Sequence, residues 1–126
     1  MIKLNNGNGG GGASNFQWSS TEQVWPFELW NDGSTLYCKE INIGLLANAS
    51  NVAYPLTSIY SGLTAEKVHS FSGVARNGVG RIINIPHPNP APHEVAIDCL
   101  TGNLYVTTAS NAWIAYTGYI KVVYKH

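Results

Sequence analysis

Four histidines, two cysteines and seven carboxylates are the side chains of this sequence with acid, base, nucleophile or metal-ligand chemistry to offer. His87 and His93 stand six apart in the run P-H-P-N-P-A-P-H, with Glu94 adjoining. Zinc sites usually space their ligands more tightly and need four of them, so one chain falls short of a set. One histidine per copy on a three-fold axis could complete such a site, but exposed loop histidines are the simpler reading. No metal and no cofactor is expected. Glycoside hydrolysis asks for two carboxylates facing one pocket. The candidates are Glu22, Glu28, Asp32, Glu40, Glu66, Glu94 and Asp98. Asp32 is accounted for by a turn, and Asp98 alternates outward from Val95, Ile97 and Cys99. No Gly-x-Ser-x-Gly elbow, phosphate loop or His-Glu-x-x-His segment occurs, so catalysis is not expected.

Binding fits the abundant residues better. Trp18, Trp25, Trp30 and Trp113, with seven tyrosines, offer flat apolar faces with polar edges, while Asn, Ser and Thr offer adaptable hydrogen bonds. A pyranose ring presents C–H groups to such a face and hydroxyls to such amides. Trp25 and Trp30 are expected in the core, whereas Trp113 starts a strand beside a polar turn. The predicted contact surface is Asn111, Trp113 and Tyr116, together with His87, Asn89 and His93 of the proline loop. Of these, Tyr116 has an inward phase.

The chain that must position them is poor in charge. Charged residues make up 11% of 126, against about a quarter in an ordinary soluble domain. Such a chain either exposes uncharged polar and aromatic surface or buries surface against copies of itself. With zero formal charge and no basic cluster, capture of nucleic acid or of an anionic membrane is excluded as an expectation. No apolar run approaches the roughly 20 residues of a spanning helix, and the start lacks the layout of a signal peptide. A soluble chain without an export address is therefore expected. Cys38 and Cys99 both fall on predicted strands, and reduced, buried thiols are expected rather than a disulfide.

Residues 1–15, with the run N-N-G-N-G-G-G-G, have almost nothing to bury and read as a flexible arm, or as a fibre linker where glycines let backbones approach. Residues 16–126 read as one domain. Its organiser is a hairpin over 27–43, in which Asn31-Asp32-Gly33 separates two strand-like runs. In the second run Tyr37, Ile41 and Ile43 share a face, with Glu40 and Asn42 opposite. Leu36 and Cys38 break the alternation, which implies that both faces are covered there or that a bulge shifts the phase. Pro26 implies an edge strand, or one that begins after it. Further strands are expected at 52–54, at 66–76 with Val68 and Val74 facing away from Phe71, and at 81–85 after an Asn77-Gly78 turn. Two more follow at 94–100 and 104–108, and a last one at 113–124. That last strand puts Ile114, Tyr116, Gly118, Ile120, Val122 and Tyr124 on one face. The opposite set, Trp113, Ala115, Thr117, Tyr119, Lys121 and Val123, is too apolar for solvent and too polar for a core, so something else must meet it. About eight short strands without helical periodicity indicate an all-β fold, an antiparallel β-sandwich.

Three stretches carry a resemblance over most of the chain from Ser19 onward. They are S-T-E-Q-V, then L-W-N-D-G-S-T-L-Y-C-K-E-I-N-I-G, and the closing N-A-W-I-A-Y-T-G-Y-I-K-V-V-Y-K. The chain resembles the C-terminal domain of many tailed-bacteriophage fibre and fibre-like structural proteins. Tyr54-Pro55-Leu56 stands where many such domains carry His-Gly-Ile. The resemblance implies a virion protein made in the host cytoplasm, assembled as a homotrimer, joined to other virion proteins through the Gly-rich arm, and touching a host-cell surface glycan. A capsid or baseplate decoration protein without a glycan ligand, or an isolated carbohydrate-binding module, are the alternatives.

Overall fold

Asn31, Asp32 and Gly33 close the first hairpin in the way their chemistry demands. Gly33 takes φ of +88° and donates its N–H to the Trp30 carbonyl at 2.8 Å, and Asp32 Oδ1 accepts from the Ser34 N–H at 2.9 Å and from its hydroxyl. Those hydrogen bonds from Ser34, with Lys125 nearby, hold the Asp32 carboxyl below its ordinary range. The computed structural model describes residues 15–46, 51–85, 95–108 and 115–126. Eight strands lie among them: β1 (Gln23–Leu29), β2 (Thr35–Leu45), β3 (Asn51–Pro55), β4 (Val68–Asn77), β5 (Ile82–Ile85), β6 (Val95–Leu100), β7 (Asn103–Thr108) and β8 (Tyr116–Tyr124). All pair antiparallel, in a five-stranded sheet ordered β1-β2-β8-β4-β5 and a three-stranded sheet ordered β3-β7-β6. The Gly-rich arm up to residue 14, the proline loop over 86–94 and the segment 109–114 lie outside the described residues.

One core joins residues of both sheets. Ile41, Ala75, Ile85, Ile120, Val122 and Tyr124 come from the larger sheet, and Leu104 and Val106 from the smaller. Leu56, Ile59 and Leu63 fill the same core from the connection between β3 and β4, which carries two 3-10 turns, Leu56–Ser58 and Ala65–Lys67. Sequence patterning treats that connection as plain loop. Each of its buried leucines contributes about 1.5–3 kcal/mol of apolar burial.

A second cluster lies on the other face of the larger sheet. Leu36, Cys38 and Val123 are buried there under Phe16, Trp18, Trp25 and Trp30. Both faces are thus covered at this end, which resolves the broken alternation at Leu36 and Cys38. Trp25 and Trp30 form a half-buried lid over this small cluster and do not enter the main core. Lid rings meet edge to face, Phe16 with Trp25 at 5.4 Å and Trp25 with Phe27 at 4.7 Å.

Three irregularities in the ladder depart from simple alternation. β1 starts before Pro26, and its register to β2 breaks between Val24 and Leu29, which accommodates the missing donor at an edge. β4 carries a bulge between Val68 and Ser70, so Val68 and Phe71 pack against the same core and not on opposite faces. β2 bulges between Asn42 and Gly44, where Gly44 has φ of +85°. The second hairpin turns over Asn77 to Arg81, longer than an Asn-Gly pair alone: Asn77 Oδ1 accepts from the N–H groups of Val79 and Arg81.

Gly118 sits buried in β8, where an added Cβ would stand 2.8 Å from Leu46 Cδ2 and 3.0 Å from Ile43 Cδ1. Gly118→Ala should destabilise by about 1–3 kcal/mol through overpacking, read as a lower denaturant midpoint with unchanged slope. Gly78→Ala, which meets nothing within 4 Å, should leave the midpoint near that of the parent. Both cysteines are free thiols, Cys38 buried and Cys99 half-buried. Burial, with the Glu22 carboxylate, pushes the Cys38 thiol up to about 11. An aromatic disulfide reagent at pH 8 should therefore titrate Cys99 first and reach Cys38 only at the rate of unfolding.

Candidate functional site

Of the six side chains that the sequence nominates, Asn111, Trp113, His87, Asn89 and His93 lie outside the described residues. Tyr116 opens β8 opposite Asn77 and is half-buried against the main core, in keeping with its inward phase. The described residues bring together a different set at one end of the larger sheet.

At that end the β1–β2 turn, the start of β4 and the end of β8 converge. Leu29, Trp30, Asn31 and His69 line a cleft of about 230 Å³. Trp30 forms one wall because it is anchored below on Leu36, Cys38 and Val123 and pinned by two turn hydrogen bonds, its N–H to Ser34 and its carbonyl from Gly33. His69 forms the other, its ring centroid 6.1 Å from that of Trp30 at 65°. It is the extra residue of the β4 bulge, the device by which a sheet re-aims one side chain. Glu28 Oε1 lies 3.7 Å from His69 Nε2, and the Ser70 hydroxyl lies within hydrogen-bond distance of Nδ1, at 3.1 Å. Lys125 Nζ stands 5.1 Å from the centre of the Trp30 ring and 3.7 Å from Asp32.

This cleft offers an aromatic wall, an exposed amide and an imidazole, with the Glu28 carboxylate beside the imidazole, in a volume below the roughly 300–1,000 Å³ of pockets for larger ligands. Such groups can meet one sugar ring: C–H against indole, hydroxyls to amide and imidazole. Sequence patterning misses both walls. It assigns Trp30 to the core, although Trp30 directly precedes the turn residues and so must sit at a sheet end. It passes over His69, although the spacing of three from Val68 to Phe71 allows both to face the core only if one residue between them is extruded.

A second constellation lies near the end of β8. The His126 ring stacks between Tyr37 at 3.9 Å and Tyr60 at 4.2 Å, and its Nε2 lies 2.7 Å from Glu22 Oε2. The Tyr124 hydroxyl donates to Glu22 Oε1 at 3.0 Å. Burial, reinforced by that bond, pushes the Tyr124 phenol far above its ordinary range. A histidine–carboxylate pair can move a proton, but the nearby thiol, Cys38, is buried and held protonated. The arrangement works as a clasp that ties residue 22 to residues 124 and 126. Among the described residues no group of three or more His, Cys, Asp or Glu is placed to hold a metal ion, and no helix is long and apolar enough to cross a membrane.

Glu22→Leu should cost about 1–3 kcal/mol because it strands a buried hydroxyl. Adding Tyr124→Phe should recover part of that loss, and unfolding of the two single variants and the double variant checks the coupling.

No family model, curated protein or solved structure matches this chain.

Proposed function

We propose that the protein is a bacteriophage virion structural protein, the tip domain of a trimeric fibre, which attaches to host-cell surface glycan through the cleft between Trp30 and His69. The observation that carries the ligand class is that cleft: an indole wall with an amide and an imidazole, small enough to suit a single ring. The reading is one of binding and not of catalysis, because no pair of carboxylates lines the cleft. The fibre reading rests on the resemblance of the W-N-D-G hairpin and the closing Y-I-K-V-V-Y-K run. These two stretches form neighbouring strands, with Tyr37 opposite Tyr124 and Ile41 opposite Ile120.

A two-layer sandwich is the architecture this function would use, and the core shared by Ile41 and Ile120 with Leu104 and Val106 supports it. Trimerisation is supported by the low charge and by the apolar edge of β1, where Val24, Phe27 and Leu29 are 55%, 49% and 61% exposed beside a groove of about 430 Å³. Pro26 and the broken register blunt that edge against strand addition, so copies would meet through side chains. Three cleft copies on one tip, and several tips on one particle, make millimolar single contacts useful.

Sedimentation at micromolar concentration should give a trimer, and a glycan array probed with that trimer should show binding. Trp30→Ala and His69→Ala should each weaken it about tenfold or more. A monodisperse monomer sinks the trimer. Failure to bind any glycan, together with retention on virus particles, would favour a decoration protein.

A further inference from the structure

The outer face of the larger sheet is covered over one half only. The aromatic lid ends at Trp18, whose ring is 5.5 Å from Lys121 Nζ. Beyond it, one row across the sheet is Asn42, Tyr119, Val74 and Asn84, each opposite the next in register. The following row is Leu45, Thr117, Arg76 and Ile82. Leu45 is 69% and Ile82 54% exposed, and Asn42, Arg76 and Asn84 are exposed. Four strands separated by three spacings of about 4.8 Å make a strip about 14 Å long. The face that the sequence marks as too apolar for solvent and too polar for a core is thus half met by the chain itself and half open.

The chemistry of the open half is specific. Arg76 lies 5.8 Å from the centre of the Tyr119 ring, which holds the guanidinium beside an aromatic platform. Asn42 Oδ1 accepts from the Gly44 N–H at 2.8 Å within the β2 bulge, so the amide is fixed with its N–H groups directed elsewhere. Among the described residues the three ion pairs join His69 to Glu28, Lys125 to Asp32 and His126 to Glu22; none uses Arg76 or Lys121. Those three carboxylates cluster at the opposite end of the sheet, while both arginines, Arg76 and Arg81, belong to the β4–β5 hairpin. Glu40 stands opposite Lys121 on this face and offsets its charge, which leaves Arg76, two rows further on, as the cation that the open half presents.

We propose that this open half is a second binding surface, for a carboxylate-bearing saccharide whose ring lies on Tyr119 and whose carboxylate takes the Arg76 fork. It is separate from the Trp30 cleft and stands whether or not the fibre reading does. NMR titration with oligogalacturonate and sialyllactose, with maltotriose and lactose as neutral controls, tests it. An acidic probe should shift the amides of residues 74–76 and 117–119 and bind less tightly as salt rises. Arg76→Ala and Tyr119→Ser should each weaken it about tenfold or more, with Arg76→Lys intermediate and Tyr119→Phe near the parent. Neutral controls that bind this face equally well, an Arg76→Ala variant that binds as the parent does, or no binding of either acidic probe would overturn the proposal. So would sedimentation showing that Leu45→Glu dissociates copies of the chain that meet on this face.

Discussion

Everything in this structure hangs on one strand being buried from both sides. Val122, Val123 and Tyr124 are consecutive and all buried, which a strand allows only if each face of its sheet has a cover. On one side the cover is the shared core, and on the other it is the aromatic lid. β8 also pairs along its length with β2 and β4, so it satisfies its backbone in both directions. Remove either cover and three adjacent side chains lose their reason to be apolar.

The lid is the less usual of the two covers. A second sheet brings its own ladder of hydrogen bonds, whereas residues 15–22 make few. Glu40 N–H donates to the Ser19 carbonyl at 2.8 Å, and Gln23 reaches the Gln17 carbonyl. Ring-on-ring packing and the Glu22 clasp supply the rest. Each edge-to-face pair adds about 0.5–1.5 kcal/mol beyond its area, so a strap of a few residues can hold a face that would otherwise need strands. In a chain with so few ions, this is also how aromatic surface is taken out of water.

How much of this was legible in the sequence follows from which signals are local. The Asp32-Gly33 turn and the inward set Tyr37, Ile41 and Ile43 are fixed by neighbouring residues, and they are where patterning put them. Thr101 and Gly102 likewise turn β6 into β7, both with positive φ. The phase of β4 was misread because period two assumes one residue per step, and the bulge at His69 breaks that assumption. Leu36 and Cys38 signalled a second cover as one of two readings, but what supplies it could not be read: Phe16 and Trp18 carry no periodicity, and their partners Leu36 and Val123 are distant in sequence. Of the nominated site, five of six residues fall outside the described residues. The cleft that is seen joins two chain segments, 29–31 and 69, that only the sheet order brings together.

Lid and cleft share a residue, and this sets how rigid the cleft wall is. Trp30 closes the second cluster with one part of its ring system and walls the cleft with another. It cannot swing toward a ligand without uncovering Leu36, and the turn bonds on its N–H and carbonyl hold its backbone besides. A wall fixed by folding costs little further entropy on binding, so in the glycan complex proposed above the weak interactions of a sugar ring would not be spent on ordering the protein. The same coupling exposes the site to damage from beneath. A substitution at Val123 or Leu36, beneath the cleft and outside its lining, would loosen the indole, so the shape of the cleft is limited by the packing of a three-residue cluster.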